Sequence, residues 1–156
     1  MEQPRVNQFH FTEPKKVKLR PKEYSAFTHH QLIAIIKSVT YLIAADNRVT
    51  ANEKFCLNML CSKANVSNPE QAFEESKVMR VEDMFSTIYS MSKEQKDAVL
   101  YEWIMIILYS GDNIHNPQQV TFNLNMYPRE KAYFIDMARR CNIDVSAFLN
   151  GSVILV

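Results

Sequence analysis

The chain has 156 residues, a hydrophobic fraction of 47%, a charged fraction of 22% and a formal net charge of +1. This length suits one domain with a substantial core, and the composition excludes a disordered chain. The small net charge argues against a dedicated nucleic-acid binder, because phosphate affinity needs a concentrated basic face. The sequence contains two glycines. This scarcity favours helices over strand-rich folds, which need glycine in tight turns.

The three cysteines, Cys56, Cys61 and Cys141, are expected to be buried free thiols, because free cysteine packs as a small hydrophobe. Cys56 and Cys61 are five residues apart and would diverge on a helix, which disfavours a disulfide or metal site between them. The sequence has no visible secretion signal and no apolar stretch long enough to span a bilayer. We therefore expect a reducing, cytoplasmic location.

Three segments are expected along the chain: a basic N-terminal arm over residues 1–27, a helical domain over 28–150 and an apolar tail over 151–156. The alternation at residues 6–11 is compatible with a short strand on the domain or with a loosely ordered arm. The basic run at residues 15–20 could dock on an anionic surface, or it could simply be solvated.

The domain is predicted to be mainly α-helical, with about six to eight helices identified by apolar periodicity and capping signals. Thr50 and Glu53, and likewise Ser92 and Gln95, have the spacing of capping boxes that open helices. The helix after Ser92 is apolar nearly all round in its second half, which predicts that Trp103 lies at the centre of the core. The other predicted helices cover residues 29–45, a segment opened by Asn68 and Pro69, residues 81–91, residues 128–141 and residues 144–149.

A small β element is predicted beside the helices. Residues 120–126 alternate strictly between apolar and polar side chains, as in a half-buried strand. The tail, residues 152–156, is apolar and β-branched. It is expected to pair with another strand-like segment.

The chain also repeats itself. Residues 41–47 match residues 107–113, and residues 53–66 match residues 130–143 after an insertion in the second copy. Each copy is predicted to be an apolar helix, an Asp-Asn turn and an amphipathic helix that ends in Asn and an aliphatic residue. Since neither half can bury its apolar face alone, the halves should pack together about a pseudo-two-fold axis.

Residues 44–53, Ala-Ala-Asp-Asn-Arg-Val-Thr-Ala-Asn-Glu, resemble the Ala-Asp-Gly-x-[Val/Ile]-x-x-x-Glu signature of the TerB-like domain family. Residues 111–114, together with Glu130 further along the chain, resemble a second copy of this signature. The resemblance covers roughly residues 28–149. It implies an all-helical domain whose two turns bring acidic residues together at a possible divalent-metal site. Both glycines that follow Asp in the signature are Asn here, and the second loop is longer.

The candidate metal ligands are Asp46, Glu53, Asp112 and Glu130. Converging carboxylates repel unless a cation bridges them, and oxygen ligands suit Ca²⁺ or Mg²⁺. The alternative is that each Asp ends one helix and each Glu caps the next, because helix N-termini favour acids. An EF-hand is excluded, since neither turn has the required ligand spacing.

The resemblance implies a non-enzymatic interaction module, in a stress-response or phage-defence setting, that binds a protein partner. The alternative is a metal-dependent hydrolase that uses the acidic cluster and His115 in the second turn. No catalytic spacing or nucleotide-binding loop favours the enzyme. A homo-oligomer is also conceivable, because the basic arm of one chain could meet the acidic segment 70–102 of another.

Overall fold

The computed structural model describes residues 14–21, 23–43, 51–110 and 120–156. Within these ranges the fold is mainly helical with a small sheet, as predicted. The helices are α1 (His29–Ile43), α2 (Ala51–Lys63), α3 (Pro69–Val78), α4 (Val81–Tyr89), α5 (Lys93–Ser110) and α6 (Pro128–Arg140). The strands are β1 (Lys15–Val17), β2 (Val120–Phe122) and β3 (Val153–Leu155), and short 3₁₀ turns cover Leu124–Met126 and Ser146–Phe148.

Helix α5 lies at the centre of the core. Trp103 and Ile107 on this helix are fully buried, as the all-round apolar pattern predicted. Helix α1 packs against α5, and α3 and α4 pack against α1. Among the described residues, no helix combines the length and apolar character needed to cross a membrane.

Two predicted helix starts are confirmed by their hydrogen bonds. The Gln95 amide donates to the Ser92 hydroxyl over 3.2 Å, and the Ser92 amide donates to the Gln95 side chain over 3.0 Å, which completes a capping box before α5. The Gln71 amide donates to the Asn68 side chain over 3.1 Å at the start of α3. The other predicted capping box includes Thr50, which lies outside the described residues.

The sheet joins both ends of the described chain to the segment before α6. Its strand order is β1-β3-β2, with β1 parallel and β2 antiparallel to β3. The tail therefore pairs with other strand-like segments, as predicted. In the arm, the observed strand is Lys15–Val17, whereas the candidate strand at residues 6–11 lies outside the described residues.

The strand predicted over residues 120–126 is only partly correct. The strand ends at Phe122, and Leu124–Met126 forms a 3₁₀ turn. The Asn123 side chain accepts a hydrogen bond from the Asn125 amide over 3.0 Å, so that a local turn replaces the ladder that the alternation predicted.

The backbone supports the duplication. Helix α6 occupies the positions of α2 shifted by 77 residues at both ends. Asn65 and Asn142, one repeat apart, follow these helices with positive φ angles of 56° and 55°. The Val66 amide donates to the Cys61 carbonyl over 2.9 Å, and the Ile143 amide donates to the Ala138 carbonyl over 2.8 Å. Both helices thus end in the same Schellman-type turn.

The packing of the two copies is also reciprocal. Helix α2 of the first copy packs against α5 of the second, and α6 of the second packs against α1 of the first. The two central helices, α1 and α5, contact each other directly. Each half thus covers the apolar face of the other, as expected for halves that cannot fold separately.

Three side chains from the described part of the N-terminal arm belong to the core. Leu19, Tyr24 and Phe27 are all buried against the helical body. Tyr24 and Phe27 stack with their ring centroids 6.0 Å apart. The arm also contacts α5 directly, through Tyr24 against Glu102 and Arg20 against Tyr101.

Candidate functional site

The acidic residues predicted as metal ligands lie only partly within the described chain. Glu53 and Glu130 occupy equivalent positions in the first turns of α2 and α6. Glu53 is buried, with 2% exposure, and Glu130 is half-buried. Asp46 and Asp112, like His115 of the hydrolase alternative, lie outside the described residues. In the described ranges, no group of three or more His, Cys, Asp or Glu side chains could hold a metal ion. The metal site remains a prediction.

A buried polar cluster around Glu102 is the main feature that the sequence did not predict. Glu102 projects from the middle of α5 with 2% exposure. The Tyr24 hydroxyl donates a hydrogen bond to Glu102 Oε2. Lys63 Nζ, from the last turn of α2, lies 3.0 Å from the same oxygen. One carboxylate therefore joins the arm, α2 and α5.

Aromatic rings extend this cluster. Lys63 Nζ lies 5.1 Å from the centroid of the Tyr24 ring and 5.5 Å from that of Tyr101. The guanidinium of Arg20 lies 5.6 Å from the Tyr101 centroid. These distances allow cation–π attraction, which is stronger where water is partly excluded. The cluster thus compensates a buried carboxylate with a hydroxyl donor and nearby cations.

The electrostatics of the cluster favour a structural role. Burial, followed by the charge of Glu102 and its hydrogen bond, raises the pKa of Tyr24 far above its usual range. Burial and then the charge of Glu102 raise the pKa of the nearby Cys56 thiol to about 12. Since the thiolate is the reactive form of cysteine, we expect Cys56 to react slowly at neutral pH.

The position of Glu102 in the sequence indicates that its carboxylate is buried. Glu102 belongs to the acidic segment 70–102, which the sequence predicts to be a surface that another chain could meet. Helix α5 is buried on nearly all sides between Ala98 and Leu108, so a carboxylate inside that run has no solvated face. A charge at such a position requires a partner. The partners Tyr24 and Lys63 are set by tertiary packing.

The three cysteines agree with the sequence prediction. Cys56, Cys61 and Cys141 are free and buried. His29 and His30 are exposed at the start of α1. Their ring nitrogens lie 3.1 Å from Glu75 and 3.1 Å from Thr87, respectively.

An exposed apolar patch lies on the outer side of α2 and the end of α5. We call it the α2 patch and define it by Phe55, Met59 and Tyr109. Phe55 is 57% exposed and Met59, one helical turn later, is 39% exposed. The rings of Phe55 and Tyr109 lie 6.1 Å apart, and the Tyr109 hydroxyl donates to Met59 Sδ over 3.8 Å. The three side chains therefore form one continuous surface.

Among the described residues of α2, the exposed charges belong to lysines. The only acid in α2 is Glu53, which is buried. Lys54, beside Phe55, is exposed, whereas Lys63 at the helix end already pairs with Glu102. The exposed face of α2 is therefore apolar and cationic.

Comparisons with protein-family models, with curated proteins and with solved structures found no match to this chain. The TerB-like resemblance accordingly rests on the residues of the two turns and on the duplication.

Proposed function

We propose that the chain is a TerB-like interaction module in a stress-response setting, and that its α2 patch binds a protein partner. The partner presents an apolar segment flanked by carboxylates. The observation that carries the proposal is the continuous exposed surface of Phe55, Met59 and Tyr109. Contiguous exposed apolar surface marks interaction sites, and aromatic residues and methionine are enriched in interfaces.

The sign of the surrounding charge defines the partner further. With Lys54 exposed and Glu53 buried, a carboxylate-bearing segment is attracted and a basic one is repelled. The packing of α2 on α5 supports this use, because it holds the patch in place. A preformed surface of this kind loses little conformational entropy on binding. We also propose that a divalent ion holds the two turns together. Its ligands would be Asp46, Glu53, Asp112 and Glu130.

The experiment is site-specific photo-crosslinking in the source cells, followed by reconstitution with the purified partner. A crosslinker at Phe55 or Met59 is expected to capture one defined protein. The same crosslinker at Val78, which is 81% exposed on α3, is the matched control and should not capture it. The captured protein is then titrated against the wild type and the variants Phe55→Asp and Val78→Asp.

We expect Phe55→Asp to weaken binding at least about tenfold and Val78→Asp to leave it unchanged, because truncating or charging a central apolar anchor costs more than about 1.4 kcal/mol. Lys54→Glu should weaken binding less and remove its salt dependence. Equal losses from Phe55→Asp and Val78→Asp would overturn the proposal. Capture only of a second copy of this chain would replace it with self-association.

A further inference from the structure

A second surface, separate from the α2 patch, lies at the edge of the sheet. Within the described ranges, strand β1 is an edge strand of the β1-β3-β2 sheet. The Val17 carbonyl accepts from the Val156 amide over 3.1 Å, so the Val17 backbone faces β3. Backbone groups of successive strand residues point to opposite edges, and the N–H and C=O of Lys16 therefore point away from β3. An outward N–H and C=O of this kind can pair with another strand.

The side chains at this edge are cationic. Lys15, Lys16 and Lys18 are exposed. Within the described part of the chain, none of the three forms an ion pair. Three like charges on so short an edge repel the same strand of a second copy. They attract an extended segment that carries carboxylates.

A cavity adjoins the C-terminal end of β1. Its volume is about 410 Å³, and Val17 and Leu19 contribute to its apolar wall. Lys18, Lys93 and Lys96 also line it. A cavity of this size accommodates an apolar side chain, and Lys18 suits a neighbouring carboxylate.

The two carboxylates in the cavity wall are already engaged. Asp97 lies 3.1 Å from Lys93 Nζ, one helical turn away. Asp144 accepts a hydrogen bond from the Ser146 amide over 2.9 Å. That hydrogen bond, and then the charges of Lys15 and Lys93, lower the pKa of Asp144. Asp97 and Asp144 offset two of the five positive charges at this edge, so the remaining charge is positive; the five belong to Lys15, Lys16, Lys18, Lys93 and Lys96.

We propose that β1 and the adjoining cavity form a binding site for an extended acidic peptide, which adds to the sheet as a strand beside Lys16. The backbone of the peptide pairs with the outward N–H and C=O of Lys16. Its carboxylates contact Lys15 and Lys18, and one apolar side chain enters the cavity. This is strand addition, in which main-chain bonds give affinity and side-chain pockets give specificity. A nucleic acid carries negative charge, but it has no peptide backbone that could pair with β1.

The test is fluorescence anisotropy with a labelled peptide of about eight alternating Glu and Val residues, a common strand length. The variant Lys16→Pro removes both the charge and the outward N–H, whereas the matched control Lys16→Ala removes the charge alone. We expect Lys16→Pro to weaken binding about tenfold relative to Lys16→Ala, since a tenfold change corresponds to one good hydrogen bond. Lys18→Glu should weaken binding by a similar factor, and Phe55→Asp should have no effect.

A second measurement covers the case in which Lys16→Pro does not fold. In the wild type, saturating peptide should slow hydrogen exchange at the Lys16 amide at least about tenfold. Equal affinities of Lys16→Pro and Lys16→Ala, unchanged exchange at Lys16, or no binding of the Glu-Val peptide would each overturn the proposal. So would equal binding of a single-stranded oligonucleotide of the same charge, because the site would then recognise charge alone.

Discussion

The indole N–H of Trp103 donates to the hydroxyl of Ser38 over 2.8 Å and joins the central helix α5 to α1 inside the core. Both side chains are fully buried. The Ser38 hydroxyl donates in turn to the Ile35 carbonyl over 2.7 Å, so that none of these polar groups is left unpaired. The serine in the apolar face of α1 is therefore explained by the tryptophan that it meets.

The first prediction concerns this pair. Trp103→Ala should lower the free energy of unfolding by about 3–5 kcal/mol, as truncation of a large core aromatic does. Ser38→Ala should lower it by about 1–3 kcal/mol, because the indole N–H loses its acceptor. Urea denaturation measures both. The double variant Ser38→Ala with Trp103→Phe should lose less free energy of unfolding than the sum of the losses from Ser38→Ala and Trp103→Phe measured separately. A loss within about 1 kcal/mol for Trp103→Ala would show that α5 is not central.

Local signals in the sequence predicted these helices well. The Ser92–Gln95 capping box depends on four consecutive residues and formed as expected. The turns at Asn65 and Asn142 follow from a repeat that is visible in the sequence. Interactions of this kind require no knowledge of the rest of the fold.

Features that depend on distant partners could not be predicted in this way. The lysine-rich β1 is a strand because β3, from the other end of the chain, pairs with it. Phe55 fits the apolar pattern of α2 but points outward, since α5 covers only one side of that helix. Tyr133 on α6, next to the buried Phe134, is likewise exposed. The buried Glu102 carboxylate accepts a hydrogen bond from Tyr24, which is 78 residues away in the sequence.

The second prediction tests the Glu102 cluster. Tyr24→Phe should lower the free energy of unfolding by about 1–3 kcal/mol, because the buried carboxylate loses a donor. Lys63→Met should be at least as destabilising, since it removes the only cation in hydrogen-bonding contact with Glu102 among the described residues. Adding Glu102→Gln to Lys63→Met should recover part of that loss, because the unpaired charge is then gone. Thermal melting compares the three variants with Lys77→Met, an exposed lysine on α3. Equal melting of all four would contradict a buried, paired carboxylate.

The third prediction is a loss of stability at high pH. Burial raises the pKa of both Cys56 and Cys141 to about 12, from an ordinary value near 9. Above pH 9 the unfolded thiols release protons that the folded thiols retain, so unfolding becomes easier as pH rises from 9 to 12. Tyr24, whose pKa is also raised, adds to this loss above pH 10. Denaturation at a series of pH values should show the decline, and Cys141→Ala should make it less steep. At neutral pH, all three thiols should react slowly with a thiol probe until the chain unfolds.

The fourth prediction concerns the repeated helix ends. Ala at Asn65 or Asn142 should lower the free energy of unfolding by about 1 kcal/mol, because the left-handed backbone is unfavourable for a residue with a Cβ that cannot hydrogen-bond locally. Gly should be tolerated better than Ala at both positions. Asn58→Ala on the exposed face of α2 is the control and should cause no loss, since Ala favours a helix. If Ala were neutral at both turns, the shared backbone conformation would have no energetic importance.

The last prediction decides whether the two turns bind a cation. If Asp46 and Asp112 approach each other across the pseudo-two-fold axis, one Ca²⁺ or Mg²⁺ with its waters can bridge them, with Glu53 and Glu130 beside it. Binding to the folded state alone would raise the free energy of unfolding by about 2.7 kcal/mol at a hundredfold excess over Kd. Melting curves in millimolar Ca²⁺, Mg²⁺ or Mn²⁺ are compared with curves in chelator. Asp46→Asn and Asp112→Asn should each abolish the gain, whereas Asp83→Asn, an exposed acid on α4, should preserve it. Coincident curves, together with a modest loss from Thr50→Ala, would instead identify these residues as helix caps.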